Sequence, residues 1–316
     1  MSLQHWETYY RHGALATCPT NADGGYDLEI HQAWVDFFAK CPDGACILDI
    51  GTGNGAVALI AADTGQSLNR HWEIHASDLA LIDPMRDVPD AGTRMDGIRF
   101  HPGVAAENLP FESGSFDAVS GQYALEYTRM DATLEQVFRV LKPGGIAQFI
   151  IHHHQSPILG NAVRSLAEIE FVLKDTKVYR HLKRLTAAED STPRNAQQTG
   201  NDLRLAIQSL KRALTEAVPS GEGKIFHVTL DAVQKLLQLR TQYTPLFTGK
   251  EVDRAEQDLR DLGRRLKDLV SSAKDEAGMQ ALERIAVDAG FTVSERVAQL
   301  HDRTNTIGWR LVLRRP

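Results

Sequence analysis

Leu48-Asp-Ile-Gly-Thr-Gly-Asn-Gly55 is the stretch on which the fold turns. The apolar run Cys46-Ile-Leu-Asp-Ile50 leads into it, and Ala56-Val-Ala-Leu-Ile-Ala61 leaves it as a helical segment. A buried strand that ends in glycines and restarts as a helix brings backbone close to a ligand. The helix start also leaves free N–H groups there. The spacing is Gly-x-Gly-x-Gly, with Asp49 two residues ahead of the first glycine. A carboxylate at that strand end repels a pyrophosphate and suits a ligand that carries an ammonium group. The plain alternative is a tight strand-to-helix turn with no ligand.

Working outward, Trp72–Ala76, Gly97–Phe100, Phe116–Ser120 and Gly145–His152 read as further strands. Helical stretches lie between them. In Asp131–Leu141, Leu134, Val137, Phe138 and Leu141 share one face, and Pro143-Gly144-Gly145 ends the stretch. Strands and helices alternating at this interval predict βαβ units and a parallel sheet. After Gly290, Phe291–Ala298 and Thr306–Leu313 read as an antiparallel pair closing that sheet. The expected fold is a Rossmann-like, doubly wound seven-stranded α/β sheet. It is mostly parallel, with the last strand antiparallel and a large helical insertion between strands 5 and 6. The expected domains are 1–155 with 290–316, and the insertion 156–289.

The insertion shows apolar stripes at steps of three and four: Leu159, Ala162, Leu166, Ile169, Leu173; and Leu203, Ile207, Leu210, Leu214, Ala217. Val252, Ala255, Leu259, Leu262, Leu266 and Leu269 form the most regular stripe. Such stripes predict helices packed on one another, or a coiled-coil-like homodimer contact through the insertion. Asp190–Gly200 reads as a polar loop. From Ser156 to Ile285 there are 21 Lys/Arg against 18 Asp/Glu, whereas the whole chain carries a net charge of −6. That acidic balance argues against a nucleic-acid partner.

Asp78 ends the second strand, where an acid in a doubly wound fold can take both hydroxyls of a ribose; a turn or helix cap is the bland alternative. With Glu107-Asn-Leu-Pro-Phe111, Ser115-Phe-Asp-Ala-Val119 and Phe138-Arg-Val-Leu-Lys-Pro-Gly-Gly145, these motifs cover about residues 45–152. The sequence resembles the class I S-adenosylmethionine-dependent methyltransferases, near the small-molecule group that includes ubiquinone-biosynthesis C-methyltransferases. The resemblance implies S-adenosylmethionine as cofactor, with S-adenosylhomocysteine as its product. It implies Asp49 at the methionine amino group, and Gly51, Thr52, Gly53 and Gly55 along the methionine and sugar. Asp78 would take the ribose diol, Leu79 the adenine face, and Ala106 and Glu107 the adenine edge. Gln122 and Tyr123 would lie near the reactive methyl. Where relatives usually carry Gly-Asp, this chain reads Val104-Ala105.

Candidates for the acceptor pocket are Tyr9, Tyr10, Tyr26, His31, Trp34, Tyr123, Glu126, Tyr127 and His152-His-His154. Tyr123, His152 and His153 are the expected catalytic residues, because an oxygen or acidic-carbon acceptor needs a general base and histidine titrates near neutrality. Alternation puts His152 and His153 on opposite faces. No metal is expected there, since no carboxylate or cysteine lies close in sequence. The acceptor is a small molecule or a peptide. A catalytically silent, cofactor-binding scaffold is the competing reading. Gln122-Tyr-Ala-Leu125 stands where nucleic-acid methyltransferases carry an Asn-Pro-Pro-Tyr-type motif. The length of 316 residues suffices for a substantial core. Cys18, Cys41 and Cys46 lack CxxC spacing, which with no signal-peptide pattern reads as a cytoplasmic protein with free thiols and no membrane partner.

Overall fold

Strand β1 (Cys46–Ile50) is the centre from which the sheet grows. A computed structural model of the chain describes residues 4–16, 25–26, 28–187 and 193–316; Cys18 and residues 190–192 of the expected polar loop lie outside these. Helices α1 (Gln4–Arg11) and α2 (Leu28–Phe38) precede β1. Helix α3 (Ala56–Ser67) leads to β2 (Glu73–Asp78), and the single turns α4 (Pro84–Asp87) and α5 (Ala91–Arg94) lead to β3 (Ile98–Pro102). Next come β4 (Phe116–Gln122), α6 (Met130–Val140) and β5 (Leu141–His152).

The strands run in the order β3-β2-β1-β4-β5-β7-β6, with β6 (Thr292–His301) and β7 (Asn305–Arg314) after the helical insertion. Five strands are parallel, and β7 lies antiparallel between β5 and β6. The order reverses between β1 and β4, which is where doubly wound sheets bind ligands at their carboxyl ends.

Two apolar layers hold the sheet. On one face Ile47, Ala118 and Ile150 meet Trp34, Phe37 and Phe38 of α2 and Val57 and Ile60 of α3, all buried. On the other, Leu48, Val119, Phe149 and Leu311 meet Leu134 and Val137 of α6. Met279, Leu282 and Ala286 complete that layer; they come from α12 (Glu276–Asp288), N-capped by the Asp275 side chain on the Gly278 N–H.

Between β5 and α12 the chain is helical: α7 (Pro157–Glu170), a π-helical turn (Phe171–Thr176), α8 (Val178–Thr186), α9 (Pro193–Ala217), α10 (Lys224–Gln242) and α11 (Pro245–Ser272). Residues Asn161–Lys267 form one compact unit; the rest, through Gly160 and from Asp268 on, forms the other. The helical unit is narrower than the expected insertion 156–289, because α12 packs in the sheet's own core. The apolar stripes meet inside the helical unit: Ile169, Leu203, Leu210, Val252 and Leu259 are buried together, with Ile207, Leu214, Ala255, Leu262 and Leu266 packed around them. The expected loop over 190–200 is shorter than its polar composition suggests. Helix α9 already begins at Pro193, where proline's fixed φ suits a first helical turn. Among the described residues, no helix is long and apolar enough to cross a membrane.

Candidate active site

The glycine turn after β1 is left-handed at each glycine, with φ of 60° at Gly51, 54° at Gly53 and 89° at Gly55. A side chain is strained at such angles. Each position is also closely covered: a Cβ on Gly51 would collide with Ala124, on Gly53 with the Tyr10 ring, and on Gly55 with the Phe100 ring. Asn54 ties the N-terminal segment down over this turn, its Nδ2 donating to the Tyr10 and Ala14 carbonyls at 2.9 Å each.

Two buried aspartates frame the turn. Asp49 is 1% exposed, and its Oδ1 accepts from the Ser120 hydroxyl at 2.7 Å. Its Oδ2 is buried without a hydrogen-bond partner among the described residues. Burial raises the Asp49 pKa to about 7 against the nearby Thr52 and Ser120 hydroxyls, and the Asp78 charge adds to the rise. Asp78 accepts from the Gly53 N–H and the Ala80 N–H, each at 2.8 Å. Burial raises its pKa as well, with those two amides opposing.

A cleft opens beside this frame. Gly51, Asp78, Leu79, Val104, Ala106, Glu107 and Tyr123 line it, and Trp6 and Tyr127 add aromatic wall. Of the two positions that depart from the family pattern, Val104 lines the cleft and donates its N–H to the Asp78 carbonyl, while the Ala105 carbonyl accepts from the Asn108 N–H. Glu107 accepts from the Arg129 N–H at 3.0 Å. Thr52, Gly53 and Gly55 lie outside the cleft wall, beneath Tyr10 and Phe100. Gln122 also points elsewhere, its Oε1 accepting from the Trp34 indole N–H in the core.

The expected catalytic residues separate. Tyr123 has a φ of 52°, an unusual value for a side-chain-bearing residue, and lines the cleft. Its ring stacks on His152 at 3.8 Å between centroids. His152 is 3% exposed, with Nδ1 2.8 Å from Glu126 Oε1; the same oxygen accepts the His152 backbone N–H at 2.9 Å. Its Nε2 has no hydrogen-bond partner among the described residues. His153 lies on the opposite face, 4.7 Å from the Trp309 ring, and its Nδ1 accepts from the Gln155 N–H. Burial and the neighbouring His154 lower the His153 pKa. Glu126 is the buried partner that spacing alone gave no means of pairing with His152. It sits on a single 3₁₀ turn, Leu125–Tyr127, that folds back against the end of β5.

Asp49 suits an ammonium-bearing ligand, since its free carboxylate oxygen is buried at the end of β1. Residues 48–149 match the family model described as a methyltransferase domain. A ubiquinone/menaquinone biosynthesis C-methyltransferase of Xylella fastidiosa is 32% identical over 132 residues, covering 39% of this chain and 49% of that protein. An uncharacterised methyltransferase of Synechocystis is 33% identical over 146 residues, covering 45% of this chain and 63% of that protein. The chain spans about half the length of the first of these curated relatives. A solved 1,6-didemethyltoxoflavin-N1-methyltransferase of Burkholderia thailandensis is 11% identical with a TM-score of 0.43, covering 90% of this chain and 77% of that one.

Proposed function

The chain carries a class I S-adenosylmethionine-dependent methyltransferase domain, and on that premise we propose that the protein methylates a small-molecule acceptor with an acidic proton. S-adenosylmethionine supplies a methyl group already activated on a sulfonium, so the protein's part is chiefly to align and to manage protons. The observation that carries this reading is the pair of buried carboxylates across the left-handed glycine turn, one of them with an oxygen left free.

Asp49 Oδ2 would hold the cofactor's ammonium group, and Asp78 its ribose hydroxyls. Gly51, Thr52, Gly53 and Gly55 would shape the turn. Leu79, Ala106 and Glu107 would border the adenine, and Gln122 would brace the site through Trp34 rather than by touching the cofactor. Glu126 Oε1 accepts from Nδ1–H of His152 in the tautomer that leaves Nε2 free to take a proton. Tyr123 and Tyr127 both pack on the His152 ring and both line the cleft, so the base lies directly behind that wall. For the acceptor's proton to reach His152 Nε2 as the new bond to carbon forms, the Tyr123 or Tyr127 ring must turn aside, since both stand between the base and the cleft. The aromatic wall of Trp6, Tyr123 and Tyr127 favours a flat acceptor such as a phenol or enol over a peptide. His153, on the other face, would play a supporting part.

Transfer of labelled methyl from S-adenosylmethionine to a panel of phenols and enols tests the reading. A product heavier by one CH2, formed by the native protein and lost in Asp78→Ala, is the expected result. Tight cofactor binding with no transfer to any acceptor would favour a silent scaffold.

A further inference from the structure

We propose that Cys46, Glu73 and His75 form a binding site for a zinc-type divalent ion, with His101 orienting His75. All four stand on neighbouring strands, and the site lies apart from the cleft. Cys46 and Glu73 are the first residues of β1 and β2 and pair directly in the parallel register. Asp49 and Asp78 stand at the other ends of the same strands. His75 follows Glu73 by two residues, so alternation returns it to the same face.

The thiol sulfur, a carboxylate oxygen and an imidazole nitrogen all lie within 4.8 Å of one another. Ligand atoms on a tetrahedral zinc stand roughly 3.5 Å apart, given bonds of about 2.0–2.3 Å. Closing that difference takes small side-chain rotations, and Glu73 is exposed and free to make one. Sulfur and imidazole together select zinc-like ions over magnesium or calcium, and a water would complete the shell.

The contacts around His75 supply the second observation. Its Nδ1 lies 2.9 Å from His101 Nε2, and the two rings are parallel within 2°. Phe111 and Phe116 pack edge-on against His75, and Phe111 does the same against His101. This is the arrangement by which an outer partner fixes the ring of a metal-binding histidine. The other nitrogen, Nε2, lies 3.1 Å from Glu73 Oε1. If Nδ1 donates to His101, then Nε2 and the carboxylate oxygen face each other as two acceptors. A shared cation satisfies both. In the other tautomer a proton occupies that place, so proton and metal compete for one position. Arg99, which pairs with Glu73 Oε1, is the second competitor that a metal would displace.

The sequence hides this set, since 27 and 29 residues separate Cys46 from the other two ligands. Parallel pairing alone brings them together.

The test is cobalt titration of the full-length, chelator-treated protein, watched for tetrahedral d–d bands and a thiolate-to-cobalt charge-transfer band. One equivalent should bind with both features, and zinc should bleach them. Cys46→Ser should lose the charge-transfer band, and His75→Gln should lose the d–d bands. His101→Gln should weaken binding about tenfold or more. Cys41→Ser should behave as native. Circular dichroism reports whether each variant folds, and Glu73→Gln stands in for any that does not, with weaker binding expected. No bands in the native protein, or a charge-transfer band that survives Cys46→Ser, would overturn the proposal.

Discussion

In the helical unit the buried side chains of Thr176, Thr248 and Asp261 close on their own helices, whereas at the carboxyl ends of β1 and β5 Asp49 and His152 each keep a buried atom without a partner. Thr176 donates to the Val172 carbonyl and Thr248 to that of Thr244, and Asp261 is satisfied by Gln257 and Arg264. In the sheet unit Asp49 Oδ2, Glu126 Oε2 and His152 Nε2 are buried with no hydrogen-bond partner among the described residues. An unpaired buried polar atom costs free energy. We read these three, at the carboxyl ends of β1 and β5 and on the turn packed against β5, as places for a ligand. Thr176, Thr248 and Asp261 are satisfied where they stand, whereas Asp49, Glu126 and His152 each keep an atom to offer a ligand.

This contrast sharpens first at His152. His152→Ala should lower turnover by about 10²–10⁴, the usual effect of losing a general base, with cofactor affinity unchanged. Steady-state kinetics beside calorimetry would read both. Glu126→Gln should lower kcat more than it raises KM, and the nitrogen chemical shifts of His152 should show the Nδ1–H tautomer losing dominance. Equal losses of cofactor affinity in both variants would instead mean that they hold the fold.

The helical unit should answer to volume rather than charge. Leu210 is fully buried among its stripes, and Leu210→Ala should cost about 2–5 kcal/mol in a denaturant melt. Gly51→Ala places a Cβ at a φ of 60° and against Ala124. It should destabilise the glycine turn by roughly 1–3 kcal/mol and weaken cofactor binding.

The last effect concerns Asp49 alone. The folded state raises its pKa from 3.8 to about 7, so between those values it holds a proton that the unfolded chain has lost. Stability from this group therefore falls as pH rises through that window. Asp49→Asn removes the penalty, and the free variant should melt above the native protein at pH 8 but not at pH 4. An unchanged difference across pH would place the titration elsewhere.

The sheet and the helical stripes were legible because both rest on periodicity. Alternation or an unbroken apolar run marked the strands, and steps of three and four marked Leu203–Ala217. The glycine turn was legible because its conformation demands glycine. Pairings between distant polar residues were not. Glu126 reaches His152, Trp34 takes Gln122 out of the cleft, and Cys46 meets Glu73, each through the order of strands rather than through spacing. Helix α12 read as part of the insertion because its own stripe does not reveal which core it joins.

The central claim is that Asp49 receives a cationic group of S-adenosylmethionine or its product. Calorimetry of S-adenosylhomocysteine at pH 6 and pH 8 tests it most directly. With Asp49 at about 7 in the free protein, binding at pH 6 must first expel its proton, so affinity should be about tenfold weaker there than at pH 8. Asp49→Asn should bind more weakly than the native protein at pH 8 and lose that pH dependence. Native affinity that is equal at both pH values, together with an Asp49→Asn variant that binds as tightly as the native protein, would contradict the account.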